Sequence, residues 1–200
     1  MNEYLYHLMD STQNVPEADK DWAKRLKEDG VFCSFCGFIL KRGAIDIYLN
    51  GRALKSYAPI TSASGSGIYM IRKDIMRDMG EDILVDCCYL GKVYDHKGRE
   101  SETYISFVPK VAPVQIRGDT TSTQAECEVC GKFLYFPLPL NKWYVVRNTI
   151  PAAAFFPDSF EGFTCSKELG DSLKAKGYKK IGYFKIAVRE VSIDGCDEKF

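Results

Sequence analysis

Apolar residues recur at every second position, or form short apolar runs, in several stretches of this chain, a pattern typical of β-strands. In the segment Glu3–Met9, for example, Tyr4, Tyr6 and Leu8 would share one face of a strand. The same reading predicts strands at Ala44–Leu49, Ile68–Ile71, Ile83–Val93, Thr103–Val108, Tyr144–Arg147, Gly162–Cys165 and Ile181–Val191. The turn Asp95–Gly98 would join two of them into a hairpin, whereas Thr61–Gly67 is predicted to be a flexible polar loop.

Helical patterns are fewer and shorter. Ala18–Glu28 places Trp22 and Leu26 on one face and ends before Gly30, and Lys73–Met79 ends before Gly80. Lys167–Lys176 follows Ser166, a favourable N-cap residue, and precedes Gly177, a favourable C-terminal residue. We therefore predict a single α+β domain over residues 1–200, with a mostly antiparallel sheet and three or four short helices.

The segments 68–108 and 162–191 share an order of elements. Each is predicted to contain a strand, a short helix, a glycine and a further strand. This is a faint repeat of topology rather than of sequence, and the second copy forms a C-terminal strand-helix-strand unit.

Two short cysteine motifs carry the clearest chemistry. One is CSFCG, with Cys33, Cys36 and Gly37, and the other is CEVCG, with Cys127, Cys130 and Gly131. Two thiolates separated by two residues form half of a tetrahedral metal site, and the following glycine supplies the backbone freedom of the turn. Two such halves predict one structural Zn²⁺ site with these ligands: Cys33, Cys36, Cys127 and Cys130.

The distance between the motifs along the chain leaves other chemistry open. In a zinc ribbon the two pairs lie roughly 15–20 residues apart, whereas here the metal would join distant parts of one fold, with knuckles at 33–37 and 127–131. The pairs can instead act separately as dithiols or close local disulfides. A thioredoxin-type redox pair lies after a strand and at a helix N-terminus. The residues after both motifs are instead largely apolar and aromatic and indicate strands, which favours metal knuckles.

Charge and composition limit the class of protein. The 200 residues contain 27 basic and 27 acidic side chains, so the chain lacks the basic surplus that drives binding to nucleic acid. No apolar run approaches the roughly 20 residues of a membrane span, and the first ten residues do not resemble a signal peptide. Eight cysteines without a secretion signal indicate thiols or metal ligands in a cytoplasmic protein.

Signatures of catalysis are missing from the sequence. His7 and His96 are the only histidines, and there is no phosphate-binding loop, nucleophile elbow or zinc-protease motif. Four cysteines around one ion would also leave no open coordination position. The remaining cysteines are interpreted as packed or free thiols rather than nucleophiles: Cys87, Cys88, Cys165 and Cys196. We therefore expect a protein that is not an enzyme.

The chain resembles the bacterial double-CXXCG motif proteins, a family first seen as a paralogous set in myxobacteria and associated with immunity to toxins used between competing cells. The resemblance is carried by CSFCG, CEVCG, Trp143, the strand Tyr144–Arg147, the turn Ile150-Pro151 before Phe155 and Phe156, and FTCSKELGDSLKAKGYKKIGYFKIAV from Phe163. The last segment is also similar to the end of a broader immunity-protein superfamily. The segment from about residue 44 to 110 is generic.

The resemblance implies a cytoplasmic protein that neutralises a cognate toxin by direct binding, with the four cysteines as zinc ligands. The two alternatives are a zinc-ribbon protein that binds nucleic acid, which a basic face with exposed aromatic rings would support, and a CXXC thiol oxidoreductase. Residues 1–29 hold seven acidic and four basic side chains, and the tail adds Asp194, Asp197 and Glu198. If the two ends meet, they would form an acidic patch suited to a basic nuclease toxin.

Overall fold

The computed structural model describes residues 3–10, 16–50, 57–63, 67–111, 113–114, 116–118, 125–131, 133–134, 143–157 and 162–190. Its helices are α1 (Lys20–Glu28), α2 (Lys73–Met79), α3 (Glu81–Cys87) and α4 (Lys167–Ala175). Its strands are β1 (Tyr4–Asp10), β2 (Ile47–Tyr48), β3 (Ile60–Ser62), β4 (Tyr69–Arg72), β5 (Cys88–Tyr94), β6 (Glu100–Pro109), β7 (Arg117–Gly118), β8 (Ala125–Glu126), β9 (Phe133–Leu134), β10 (Trp143–Val146), β11 (Phe155–Pro157), β12 (Phe163–Cys165) and β13 (Ile181–Arg189).

Most of these strands belong to two sheets. The order is β11-β12-β1-β13-β10-β7 in the six-stranded sheet and β2-β5-β6-β4-β3 in the five-stranded sheet. The α+β class is confirmed, but the expected mostly antiparallel sheet is corrected, because both sheets are mixed. The pairs β10–β13 and β2–β5 are parallel. In each case other strands and helices intervene along the chain, which provides the long crossover that parallel neighbours require.

An aromatic core lies between the two sheets. Tyr69 and Phe107 of the five-stranded sheet contact Phe155 and Phe163 of the six-stranded sheet, and the ring centroids of Tyr69 and Phe163 are 4.3 Å apart. Leu173 of α4 is fully buried in the same cluster. Because aromatic side chains bury large apolar areas, this cluster is a major stabilising contact between the sheets.

The outer faces of the sheets are covered by other parts of the chain. On the five-stranded sheet, Trp22 of α1 and the segment that contains the first CXXC motif pack on Met70 and Tyr104. On the six-stranded sheet, Val114 and Ile116 pack on Leu5 and its neighbours. The first cysteine motif is therefore part of a hydrophobic layer.

The predicted helices α1 and α4 are confirmed, as are the Ser166 and Gly177 signals of α4, whereas the Asp19 cap of α1 was not predicted. Asp19 caps α1 by accepting a hydrogen bond from the backbone N–H of Trp22 at 2.9 Å. Ser166 caps α4 by accepting from the N–H of Leu169 at 3.2 Å. Gly177 follows α4 with a φ of +71°, in the left-handed region that favours glycine at a helix end.

The prediction of one long strand over Ile83–Val93 was wrong. The first part of that segment is in helix α3, and strand β5 starts only at Cys88. The apolar run Ile83, Leu84 and Val85 has the composition of a strand. However, it follows a turn at Gly80 and two acidic residues in the first helical turn, and Leu84 becomes the buried residue of the helix.

The polar segment Thr61–Gly67 is not only a loop. Thr61 and Ser62 belong to β3, which pairs antiparallel with β4 at the edge of the five-stranded sheet. Residues 64–66 lie outside the described part of the chain. The conformation of Thr61 and Ser62 depends on their pairing with β4. The local sequence contains no signal for that pairing.

Candidate metal centre

Each CXXCG motif lies in a short antiparallel hairpin, and the two hairpins have the same register. We call residues 31–40 the first knuckle hairpin and residues 125–134 the second. In the first, Phe32 pairs with Ile39, and the N–H of Leu40 donates to the carbonyl of Val31 at 2.7 Å. In the second, β8 and β9 pair at the equivalent positions, each 94 residues later in the chain: Glu126 pairs with Phe133, as Phe32 does with Ile39. The sequence analysis recognised the motifs but missed this repeat of the strands beside them.

The turn in each knuckle hairpin closes in the same way. The backbone N–H of Gly37 donates to the carbonyl of Cys33 at 3.0 Å, and that of Gly131 donates to the carbonyl of Cys127 at 2.8 Å. The two glycines have φ values of +71° and +67°. This left-handed conformation is costly for a residue with a Cβ atom, which explains why glycine follows each second cysteine.

The four sulfurs of the predicted ligands lie together. Sγ of Cys33 is 3.7 Å from Sγ of Cys127, and Sγ of Cys36 is 3.5 Å from Sγ of Cys130. All four sulfurs are within 4.8 Å of one another. Four sulfurs in a tetrahedron about 2.3 Å from a Zn²⁺ ion would be about 3.8 Å apart. The spacing therefore fits a four-thiolate metal site, and the cluster can hold a metal ion.

Corresponding cysteines of the two hairpins have the same burial. Cys33 and Cys127, which we call the inner pair, are 0% and 2% exposed. Cys36 and Cys130, which we call the outer pair, are half-buried. Each sulfur of a pair faces its counterpart from the other hairpin, so the centre has the arrangement of an approximate two-fold axis.

Backbone donors favour charge on the inner sulfurs. The N–H of Cys36, with a further contribution from that of Phe35, donates to Sγ of Cys33 and lowers the pKa of that thiol to about 6 against the effect of burial. Burial opposes ionisation of Cys127, but N–H groups of its own turn donate to its sulfur and lower its pKa. These donors would stabilise metal-bound thiolates.

The outer thiol of the first hairpin behaves differently. Burial raises the pKa of Cys36 to about 12, and hydrogen bonds with the neighbouring thiols add to the effect. Thiols that share one site do not all ionise together, because each new negative charge repels the others. A divalent cation would remove this repulsion, so the donor set is suited to a bound metal.

Three other described cysteines lie elsewhere. Cys88 and Cys165 are buried, and burial raises the pKa of each thiol to about 12. Cys87 is half-buried at the end of α3, and burial raises its pKa as well. The prediction that Cys165 packs in the core is confirmed. Cys196 lies outside the described residues.

The two histidines lie at different sheets. His7 is buried in β1, where its ring is 5.8 Å from Trp143 and 6.3 Å from Phe184. His96 is exposed in the turn between β5 and β6. Neither residue belongs to the cysteine cluster.

Sequence analysis also missed a row of tyrosines and cations on the six-stranded sheet. Tyr4 and Tyr144 lie on either side of Ala187, with which both are in register. The Nζ atom of Lys185 is 4.3 Å from the ring centroid of Tyr4, and the guanidinium carbon of Arg189 is 4.2 Å from that of Tyr144. We call these four side chains the tyrosine row. Only the three-dimensional pairing of β1, β13 and β10 brings them together.

Of the two chain ends that are expected to form an acidic patch, the structure describes only the parts from residue 3 and up to residue 190. β1 and β13 pair along their length, and Glu3 and Glu190 both form ion pairs with Arg147. The acidic tail residues Asp194, Asp197 and Glu198 lie outside the described residues. In the described part of the chain, the charges of Glu3 and Glu190 are therefore partly balanced by the guanidinium group of Arg147.

Comparison with known proteins gave no assignment: no family model matches the chain, and a search of curated proteins found no match. No helix in the described part of the chain combines the length and the apolar character needed to cross a membrane.

Proposed function

We propose that the four cysteines bind one structural Zn²⁺ ion that joins the two knuckle hairpins. The observation that carries this proposal is the spacing of the four sulfurs, two from each of two distant segments. Soft thiolates in a tetrahedral set favour zinc or iron, and zinc is the usual structural ion. Four protein ligands fill the coordination shell, so the ion has no open position for a substrate.

Metal analysis of the purified protein tests this step. We expect one zinc per chain and four thiols that are protected from alkylation until a chelator is added. The Cys130→Ser variant is expected to lose the metal, whereas Cys87→Ser, a matched control outside the centre, is expected to retain it. A protein free of metal after purification under reducing conditions, or a Cys130→Ser variant with full zinc occupancy, would contradict the proposal.

The function that we propose for the whole protein is non-enzymatic binding of a cognate toxin, as in an immunity protein. Support comes from the resemblance to double-CXXCG proteins and from the filled ligand set. The position of the motifs also argues against a thiol oxidoreductase, because both CXXC pairs lie in hairpins rather than at helix N-termini. Reduction of insulin disulfides by the metal-free protein would instead support a thiol oxidoreductase.

A direct binding measurement tests the immunity proposal. Immunity genes are usually adjacent to the genes of their toxins, so the probe is the purified product of the neighbouring gene. We expect a stable complex and loss of the toxin's activity in the complex. A neighbouring protein that is toxic to cells, yet is neither bound nor inhibited, would contradict the proposal.

The charge of the partner follows from a further variant. If the acidic ends contact a basic toxin, reversing Asp194, Asp197 and Glu198 to lysine will slow association at low salt and leave the melting temperature unchanged. Unchanged association kinetics at low salt would remove the tail from the interface.

Nucleic-acid binding is the second candidate, and the tyrosine row is the observation that favours it. Aromatic rings next to basic groups are common where proteins bind single strands. The neutral net charge of the chain argues against it. Fluorescence anisotropy with a labelled single-stranded oligonucleotide decides between the candidates, with Lys185→Glu as the variant. Binding that is salt-dependent and lost in this variant would favour nucleic acid.

A further inference from the structure

The outer pair is the part of the metal centre that solvent can reach. Cys36 and Cys130 are half-buried, whereas the inner pair is almost completely enclosed. Residues at the tips of both hairpins are also exposed, including Phe35 and Val129 with 67% and 57% of their surfaces accessible. A small oxidant that arrives from solvent therefore meets the outer sulfurs first.

The outer sulfurs are also close enough to form a bond after a small movement. They are 3.5 Å apart, and a disulfide is about 2.05 Å long, so an approach of about 1.5 Å is needed. The two residues belong to different hairpins, 94 positions apart along the chain. A bond between them would join the same two segments that the metal joins.

We propose that the centre is a two-state staple, in which peroxide converts the metal-bound form into one held by a Cys36–Cys130 disulfide. The proposal rests on the four-cysteine metal centre proposed above. In the reduced form of the protein, four thiolates hold the ion. In the oxidised form, the outer pair is a disulfide, the inner pair is free, and the ion has dissociated.

The chemistry balances with hydrogen peroxide as the oxidant. One outer thiolate attacks a peroxide oxygen, the O–O bond breaks, and with one proton the products are a sulfenic acid and water. The second outer thiolate attacks the sulfenic sulfur, the S–O bond breaks, and a further proton carries the oxygen away as a second water. Two electrons pass from the two sulfurs to the peroxide. Only two thiolates then remain for the ion, which is released.

The consequence for the fold is that the two knuckle hairpins remain joined, by the disulfide, after the metal has dissociated. Removing the metal with a chelator alone frees the two hairpins from each other. Oxidation replaces the metal contact by a covalent bond at the same place. The oxidised protein should therefore resist a chelator that destabilises the reduced protein.

The experiment treats the zinc-loaded protein with hydrogen peroxide and follows three readouts. These are zinc release measured with a colorimetric chelator, disulfides identified by non-reducing peptide mapping, and the melting temperature with EDTA present. We expect one zinc released per Cys36–Cys130 disulfide formed, and a higher melting temperature in EDTA after oxidation than before it. Peptides with Cys33–Cys36 or Cys127–Cys130 bonds as the main products would overturn the proposal.

Partial oxidation of the zinc-loaded parent protein tests the order of reactivity, because a bound metal would hold all four sulfurs as thiolates and access would then decide which pair reacts. At low conversion we expect peptides with the Cys36–Cys130 bond to exceed those with a Cys33–Cys127 bond at least tenfold. Equal amounts would overturn the proposal.

The outcome is separable from that of the zinc proposal. If the purified protein holds no metal, the zinc proposal fails, but peptide mapping of the metal-free chain still tests whether the outer pair joins. If the protein holds zinc and peroxide produces no Cys36–Cys130 bond, only the two-state staple fails.

Discussion

The two knuckle hairpins have the same turn and the same pair of cysteines, and burial is also the same at the five corresponding positions, 33–37 and 127–131. The first is fixed in the hydrophobic layer on the five-stranded sheet, where Phe32, Phe38 and Ile39 are buried together with Trp22 of α1. In the second, the side chains at the positions equivalent to Phe32, Phe38 and Ile39 lie outside the described residues. Strands β8 and β9 pair only with each other in the described chain.

The described packing of the first hairpin lets its contribution be separated from that of a metal bound at the four cysteines. A two-stranded hairpin is marginally stable by itself in water. The first hairpin gains support from burial of aromatic and aliphatic side chains, which is independent of the metal. Our hypothesis is that a metal bound at the four cysteines stabilises the second hairpin more than the first, because the first is already held by its packing on the five-stranded sheet.

Metal removal should therefore cause the largest loss of stability, and this loss should differ most between the two hairpins. We expect the Cys130→Ser variant, or the parent protein in excess chelator under reducing conditions, to lose several kcal/mol of stability, as is usual when a structural metal is lost. Hydrogen exchange provides the local readout. The amide of Gly131 should lose its protection, whereas that of Gly37 should retain most of its own. Equal loss at both glycines would show that the first hairpin also depends on the metal.

Truncation of the first hairpin's buried contacts should give the next largest effect. Phe38→Ala removes a ring that is 8% exposed, and we expect the free energy of unfolding to fall by about 3–5 kcal/mol. Phe35→Ala in the same hairpin is the matched control, because its ring is 67% exposed and its loss should cost no more than about 0.5 kcal/mol. Urea denaturation of the zinc-loaded proteins measures both. Similar losses for the two variants would contradict the proposed anchoring.

The sequence predicted the cysteine cluster more fully than it predicted the fold. The cysteine pairs, their spacing and the following glycines are local features, so the grouping of Cys33, Cys36, Cys127 and Cys130 was found directly. Their role as metal ligands stays a prediction. The pairing of equivalent sulfurs and the different burial of the inner and outer pairs depend on how distant segments meet, which local patterns do not contain.

The errors in the fold have the same origin. The run Ile83-Leu84-Val85 suits a strand by composition, yet it is helical in α3 because its register buries Leu84 against the core. The parallel pairs in both sheets depend on long crossovers and leave no local signal. Helices α1 and α4 were found because their signals are local: Trp22 and Leu26 share one face of α1, and Ser166 caps α4 by accepting from a backbone N–H only three residues away.

Substitution of the two turn glycines should give a smaller effect that reveals the difference in support. A Cβ atom added at Gly37 or Gly131 meets no atom within 4 Å, so the cost is conformational alone. We expect Gly37→Ala and Gly131→Ala each to cost about 1–2 kcal/mol, since both positions have left-handed backbone. The first hairpin is held in shape by its packing, so zinc competition should show a greater loss of affinity for Gly131→Ala. Equal losses of affinity would mean that packing does not preorganise the first hairpin.

The smallest effect is expected from the tip residues at which the two motifs differ in charge. Ser34 and Glu128 occupy equivalent, exposed positions directly after the first cysteine of each motif. A centre of four thiolates and one divalent cation carries a net charge of about −2, so a nearby carboxylate disfavours the thiolate form. Glu128→Ser should therefore tighten zinc binding, and Ser34→Glu should weaken it, each by no more than about fivefold because exposed charges interact by up to about 1 kcal/mol.

Competition with a chelator at low and high salt measures both changes, and high salt should reduce them because it screens exposed charges. If both substitutions changed affinity in the same direction, or if salt had no influence, the effect would come from the turn conformation rather than from charge. Opposite, salt-sensitive shifts of similar size would instead show that the tips of the two hairpins provide equivalent electrostatic environments for the ion.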